Sequence, residues 1–210
     1  MEHKTLRLYV DAQFASPYAM SAFVALSEKG LSFEVTTVDL AANENRGADF
    51  ASKSLTRRVP TLLHGDFSLS ESSAITEYID ESFPGVSLYP AQPRNRARAR
   101  QVQAWLRSDL MPVRQERSTE VVFYGSKAKP LSPAAREAVE KLFSVAEALI
   151  PAESEYLCGA WSIADVDLAL MLNRLVLHGD PVPERLALYA GRQWQRPTVQ
   201  KWVHQKRPPL

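Results

Sequence analysis

A chain of 210 residues, 45% hydrophobic and 23% charged, is long enough for one large domain or two small ones with real cores. Lys and Arg number 25 against 24 Asp and Glu, a net charge of +1, so the total exerts no strong pull towards nucleic acid or an anionic membrane. A lone cysteine, Cys158, excludes an intrachain disulfide and fits a reducing cytosol.

The first strand is read in "TLRLYV", after a start, "MEHKTLRLYVDAQ", that lacks the long apolar run of a signal peptide. No stretch approaches the roughly 18 apolar residues of a membrane span, and a cytoplasmic protein is expected. "SPYAMSAFVALSEKG" predicts a helix stopped at Gly30, with Met20, Phe23, Val24 and Ser27 on one stripe. "SFEVTTVDL" alternates as a second strand, and polar residues 41–56 allow one short helix. Val59, Thr61, Leu62 and Leu63 read as a third strand although Pro60 interrupts it. A turn at His64-Gly65-Asp66, a short fourth strand and a helix to about Phe83 follow. The order is βαβ and then αββα: the first unit forces a parallel pair, the tight turn an antiparallel hairpin. A thioredoxin-like half with a mixed four-stranded sheet is therefore expected over residues 1–83.

"PGVSLYPAQP" marks a linker over 84–91, and beyond it residues 92–210 read as all helical. "RNRARARQVQAWLRSDL" runs to a break expected at Pro112. "SPAAREAVEKLFSVAEALI" begins with Ser132 at the cap and Pro133 in the first turn. "SIADVDLALMLNRLVL" is apolar nearly all round, as a helix buried inside a bundle should be. Ser162 and Asp165 form a capping box at its start, with Trp161 placed to staple onto Val166. Residues 183–206 predict one or two shorter helices. Charge divides along the same line, 7 − 12 = −5 over residues 1–83 and 18 − 12 = +6 over the remainder.

Three places in the first half invite chemistry. A cis bond at Val59-Pro60 turns the main chain of Val59 away from the sheet and towards an extended peptide ligand. An edge strand or bulge with a trans proline fits the spacing equally well. Glu71 and Ser72 open a helix whose N–H groups favour a carboxylate while Glu71 meets an amine, one short site for both ends of an amino-acid zwitterion. A plain N-cap is the simpler account. Ser16-Pro17 starts another helix where a thioredoxin-like redox enzyme carries its cysteines, yet "FASPYAM" has none. Such a half can still stabilise the thiolate of a ligand. Two units of thiol pKa need about 2.7 kcal/mol, and a hydroxyl hydrogen bond to a charged group supplies roughly 1.5–3 kcal/mol.

Taken together, Ser16 after the first strand, "VPTL" at 59–62 and "ES" at 71–72 closely resemble the cytosolic glutathione transferases, and "WSIADVDLAL" resembles that family's buried helix with its cap. The resemblance spans the whole chain and is closest to the bacterial YfcF-type branch, through "RRVP", "LSESSAI", "NRARARQVQAWLRSDLMP" and "LNRLVLHGD". It implies a cis Val59-Pro60 bond, with the Val59 backbone on the cysteinyl part of glutathione and Glu71 and Ser72 on its γ-glutamyl end. It implies Ser16 as the thiol activator, with Tyr9 the second choice, although a core aromatic is the better account of Tyr9. Arg58, and more weakly Lys53, are implied near the glycyl carboxylate. A homodimer is implied, with glutathione as cosubstrate and an electrophile or organic hydroperoxide in the cleft between the halves. Conjugation or peroxide reduction are the activities expected; a glutathione-dependent disulfide reductase and a non-catalytic glutathione-binding protein are the rivals. The absence of a cysteine beside Ser16 argues against the thiol-transferring classes.

The other signals are bland. Arg94 and Arg98 fall on one side of their helix, Arg96 and Arg100 on another, which suits a solvated or dimer-facing surface rather than a nucleic-acid reader. His3, His64, His178 and His204 lack metal-ligand spacing, and no metal is expected. Cys158 reads as a structural thiol.

Overall fold

A computed structural model describes residues 5–210; His3 lies outside the described residues. Its contacts divide the chain into two units, residues 1–88 with 201–210, and residues 89–200.

The first unit is built on β1 (Leu6–Asp11), β2 (Phe33–Val38), β3 (Thr61–His64) and β4 (Phe67–Ser70), in the sheet order β2-β1-β3-β4. β1 runs parallel to β2 and antiparallel to β3, and β3 and β4 form the antiparallel hairpin, so the sheet is mixed as expected. Both faces of β1 are covered: Leu8 and Val10 are fully buried on one and Tyr9 is nearly so on the other. On one face lie α1 (Pro17–Glu28) and α3 (Ser72–Ser82), which pack on each other and bury Met20, Val24, Leu26, Ile75 and Ile79. α1 stops where Gly30 takes φ 67, a conformation open to glycine at little cost. Its end is tied to α3 by Lys29, whose ammonium meets the buried Asp80 carboxylate at 3.0 Å and the Phe83 carbonyl at 2.9 Å.

A smaller apolar cluster joins Tyr9, Val38 and Phe50, with Val59 and Leu63 packed against it. Phe50 comes from α2 (Ala48–Ala51), which follows a one-turn 3-10 helix at Glu44–Arg46. Tyr9 is thus a core aromatic, 6% exposed and edge-to-face with Phe50 at 5.6 Å.

The second unit is helical: α4 (Pro93–Ser108), α5 (Met111–Glu116), α6 (Thr119–Tyr124), α7 (Pro133–Leu149), α8 (Ile163–Val176), α9 (Glu184–Trp194) and most of α10 (Pro197–Val203). α8 packs on α4, α6 and α9, and twelve of its fourteen residues are buried, as its apolar sequence demands. The break expected at Pro112 falls earlier. α4 ends at Ser108, Leu110 takes φ 60, and Pro112 sits inside the first turn of α5, where the missing N–H costs no helical bond. Among the described residues no helix is long and apolar enough to cross a membrane.

Candidate functional site

Strand register gathers the three suggestive segments at one end of the sheet. Thr61 opens β3 opposite Tyr9 of β1 and opposite Ser70, the last residue of β4. β1 therefore runs out into the loop to Ser16 at the end where Val59-Pro60 enters β3 and where Glu71-Ser72 leaves β4. Helices α1 and α3 both begin there, so two sets of unpaired helical N–H groups face the same end.

Ser16 is the N-cap of α1. Its Oγ accepts the Ala19 N–H at 3.2 Å, which leaves the hydroxyl proton available to an acceptor outside the helix. The loop before it is held by Asp11, the last residue of β1. Asp11 is 4% exposed, and its two carboxylate oxygens accept the N–H groups of Ala15 at 2.7 Å and Ser16 at 3.0 Å. Burial pushes the Asp11 pKa up, and the N–H groups of Ala15, Ser16 and Asp11 itself oppose the rise.

The Val59-Pro60 bond is cis. Val59 stands outside the ladder, which begins at Thr61. The chain ahead of it is pinned by side chains that the sequence pattern does not flag. Asn45 donates to the Arg57 carbonyl at 2.9 Å, and Arg57 itself takes φ 54. The Thr61 hydroxyl lies 2.9 Å from the Arg58 carbonyl and 2.8 Å from the Ser54 hydroxyl. Ser54 in turn is 3.1 Å from the Ser70 hydroxyl. All three hydroxyls are buried, so a buried polar cluster, matched donor to acceptor, holds the turn in front of Val59. Arg58 is exposed, while the Lys53 ammonium is paired with Asp49 one helical turn back.

Glu71 has φ 72 and ψ 115, a combination that side chains with a Cβ occupy only under strain. It is the exposed N-cap of α3, and Ser72, the first helical residue, is 3% exposed. The chain thus turns sharply between β4 and α3 and leaves an exposed acid at the N-cap of α3. Among the described residues, no group of three or more His, Cys, Asp or Glu could hold a metal ion.

A sheet of this order followed by a helical unit, with two helix N-termini and a proline-led strand at one end, is a thioredoxin-like half joined to an all-helical half. The glutathione S-transferase C-terminal domain model matches residues 92–206 and the N-terminal domain model residues 7–81. The chain belongs to the glutathione S-transferase family. Glutathione S-transferase 3 of Zea mays is 30% identical over 199 residues, covering 89% of this chain and 83% of that protein. Glutathione S-transferase U13 of Arabidopsis thaliana is 38% identical over 88 residues, covering 41% of this chain but only 39% of its own length. A glutathione transferase homolog from Burkholderia, crystallised with bound glutathione, is 50% identical with a TM-score of 0.78, covering 96% of this chain and 97% of that one.

Proposed function

We propose that the chain is a glutathione transferase that ionises and positions the glutathione thiol for attack on a second substrate. The observation that carries this reading is the Ser16 hydroxyl, engaged as an acceptor by α1 and free to donate at the N-terminus of that helix. A thiolate there gains a charge-assisted hydrogen bond and the positive end of the α1 dipole. The 50% identical relative crystallised with glutathione supports the same ligand. In this reading the main chain of Val59 pairs with the cysteinyl residue, as an added strand would. Glu71 meets the γ-glutamyl amine, Ser72 and the α3 N-terminus its carboxylate, and Arg58 the glycyl carboxylate. Lys53, already paired with Asp49, is the weaker partner for that group.

Two reactions follow from one thiolate. It attacks an electrophilic carbon, forming a C–S bond as a leaving group departs or a double bond takes up the electron pair. Alternatively it attacks the terminal oxygen of an organic hydroperoxide, breaking the O–O bond to release the alcohol and leave glutathione sulfenic acid, and a second glutathione thiol displaces that hydroxyl as water to give the disulfide. Membership of the YfcF-type branch, a cytoplasmic homodimer and domain bounds of 1–83, 84–91 and 92–210 belong to the same proposal.

The test is a calorimetric titration with glutathione in two buffers of different ionisation enthalpy, followed by assays on an aryl halide, a hydroperoxide and a glutathionyl disulfide. Binding with release of about one proton near neutral pH, together with activity on either of the first two substrates, is the expected result. Activity on the disulfide alone would make the protein a reductase. Binding without proton release or turnover would make it a carrier.

Two substitutions probe the binding surface. Thr61→Val keeps shape but leaves the Arg58 carbonyl without its nearest donor. Stability is expected to fall by about 1–2 kcal/mol and the glutathione dissociation constant to rise roughly 3–10-fold as the turn before Val59 loosens, read by thermal unfolding and titration. Glu71→Gly should move the two quantities in opposite directions. Release of backbone strain is worth about 1–3 kcal/mol, less the 0.5–1 kcal/mol or so of extra chain entropy that glycine brings to the unfolded state. The variant is therefore expected to melt higher while glutathione binds at least about tenfold more weakly, the γ-glutamyl amine having lost its partner.

A further inference from the structure

The last ten residues belong to the same unit as the sheet, and they bear on the loop that carries Ser16. α10 ends at Val203, and the Arg207 guanidinium folds back over that end, donating to the carbonyls of Trp202 at 3.0 Å, Val203 at 2.6 Å and Gln205 at 3.1 Å. A cation is favourable at a helix C-terminus. The same guanidinium also reaches 193 positions back along the sequence, to the Phe14 carbonyl, from Nη2 at 3.1 Å and Nε at 3.3 Å.

Phe14 is held in other ways too. It takes φ 49, its N–H donates to the Asp11 carbonyl at 3.0 Å, and its ring lies edge-to-face with Trp202 at 5.5 Å. Trp202 is fully buried and its ring lies 5.3 Å from that of Phe23 on α1. The loop from Asp11 to Ser16 is therefore gripped from two sides. Asp11 takes the N–H groups of residues 14, 15 and 16, and Arg207 takes the carbonyl of residue 14.

The charges matter as much as the bonds. Asp11 places a buried carboxylate against the Ser16 N–H, and an uncompensated negative charge there disfavours a thiolate nearby. Arg207, held on the Phe14 carbonyl three residues on from Asp11, adds a field that opposes the burial-driven rise of the Asp11 pKa, after the N–H groups of Ala15, Ser16 and Asp11 itself. We propose that Arg207 is a positioning residue of the thiol site, which clamps the Phe14–Ser16 loop through the Phe14 carbonyl and balances the charge of Asp11. The inference rests on the reading of Ser16 as thiol activator. It assigns the C-terminal tail a part in activating glutathione rather than only in closing the fold.

The experiment follows the ultraviolet absorbance of the thiolate of bound glutathione against pH in the full chain, with steady-state kinetics beside it. In Arg207→Gln the bound thiol should titrate about one unit higher, so that turnover at neutral pH falls about tenfold and recovers as the pH is raised. The glutathione dissociation constant should stay within about threefold, because Val59, Glu71 and Ser72 are untouched. Arg207→Lys keeps the charge without the fork that spans two elements, and should restore most of the titration shift. Lys206→Gln removes a neighbouring exposed charge and should behave as wild type. An unchanged thiol titration in Arg207→Gln would overturn the inference, and so would turnover lost only in step with a lowered melting temperature. Ser16→Ala separates the two readings. If it shifts the thiol and Arg207→Gln does not, the inference fails alone; if neither does, the thiol-activating role of Ser16 fails with it.

Discussion

Replacing Ser16 by alanine is expected to lower turnover about 10–100-fold at neutral pH while glutathione still binds. The hydroxyl contributes one donor, and a hydrogen bond to a charged acceptor is worth about 1.5–3 kcal/mol, equal to roughly one to two units in the pKa of the bound thiol. Thiolate absorbance against pH should move by that amount, and the pH profile of turnover should move with it. The same substitution removes the α1 cap, since Oγ also accepts the Ala19 N–H. That loss is worth about 1 kcal/mol, or roughly 2–4 °C in melting temperature for a chain of this size. Ser16→Gly serves as the control, because glycine costs a cap only a few tenths of a kcal/mol. Equal catalytic loss in the two variants with unequal loss of stability separates the donor from the cap. Glutathione affinity falling as steeply as turnover would move thiol activation to another group.

The parts of this site that the sequence reveals are those encoded within a few residues. Ser16-Pro17 announces a helix start, and Glu71-Ser72 another, because capping is a local bargain between a side chain and the next turn. Alternation and the βαβ order were enough for the mixed sheet, since a tight hairpin and a parallel crossover leave few arrangements. Pro60 left two readings open, and the structure has the cis form. What remained hidden depends on contacts between distant positions. Asp11 lies just past the expected strand "TLRLYV" with no local signal of its role, which comes only when the loop that follows turns back onto its carboxylate. Ser54 and Thr61 read as ordinary polar residues until the fold buries them together with Ser70. Arg207 meets Phe14 only because α10 returns to the first unit. Pro112 misled for another reason: a proline ends a helix in its interior but suits a first turn, and the spacing alone does not say which.

The largest loss of stability is expected at Asp165, which is wholly buried at the start of α8. One carboxylate oxygen accepts the Ser162 N–H at 2.8 Å and the Ser162 hydroxyl at 3.0 Å. The other accepts the Leu157 N–H and the Tyr189 hydroxyl, each at 2.8 Å. Four donors fill the acceptor capacity of one carboxylate, joining the loop before α8, its first turn and α9. Burial raises the pKa of Asp165, and those same donors oppose the rise. Asp165→Ala removes the acceptor and leaves all four donors without it, at about 1–3 kcal/mol each before relaxation. A net loss of about 4 kcal/mol is expected, a large share of a typical stability of roughly 5–15 kcal/mol. The melting temperature should drop by about 8–16 °C. Asp165→Asn should lose less: its amide oxygen still accepts from Leu157 and Tyr189, but its NH2 confronts the Ser162 N–H donor. Because none of the four bonds of Asp165 involves a residue of the proposed glutathione site, glutathione affinity measured well below the transition should survive in both variants. A melting temperature within about 3 °C of wild type for Asp165→Ala would mean that water or a shifted loop replaces all four bonds, and that the α8 start is not the keystone its burial suggests.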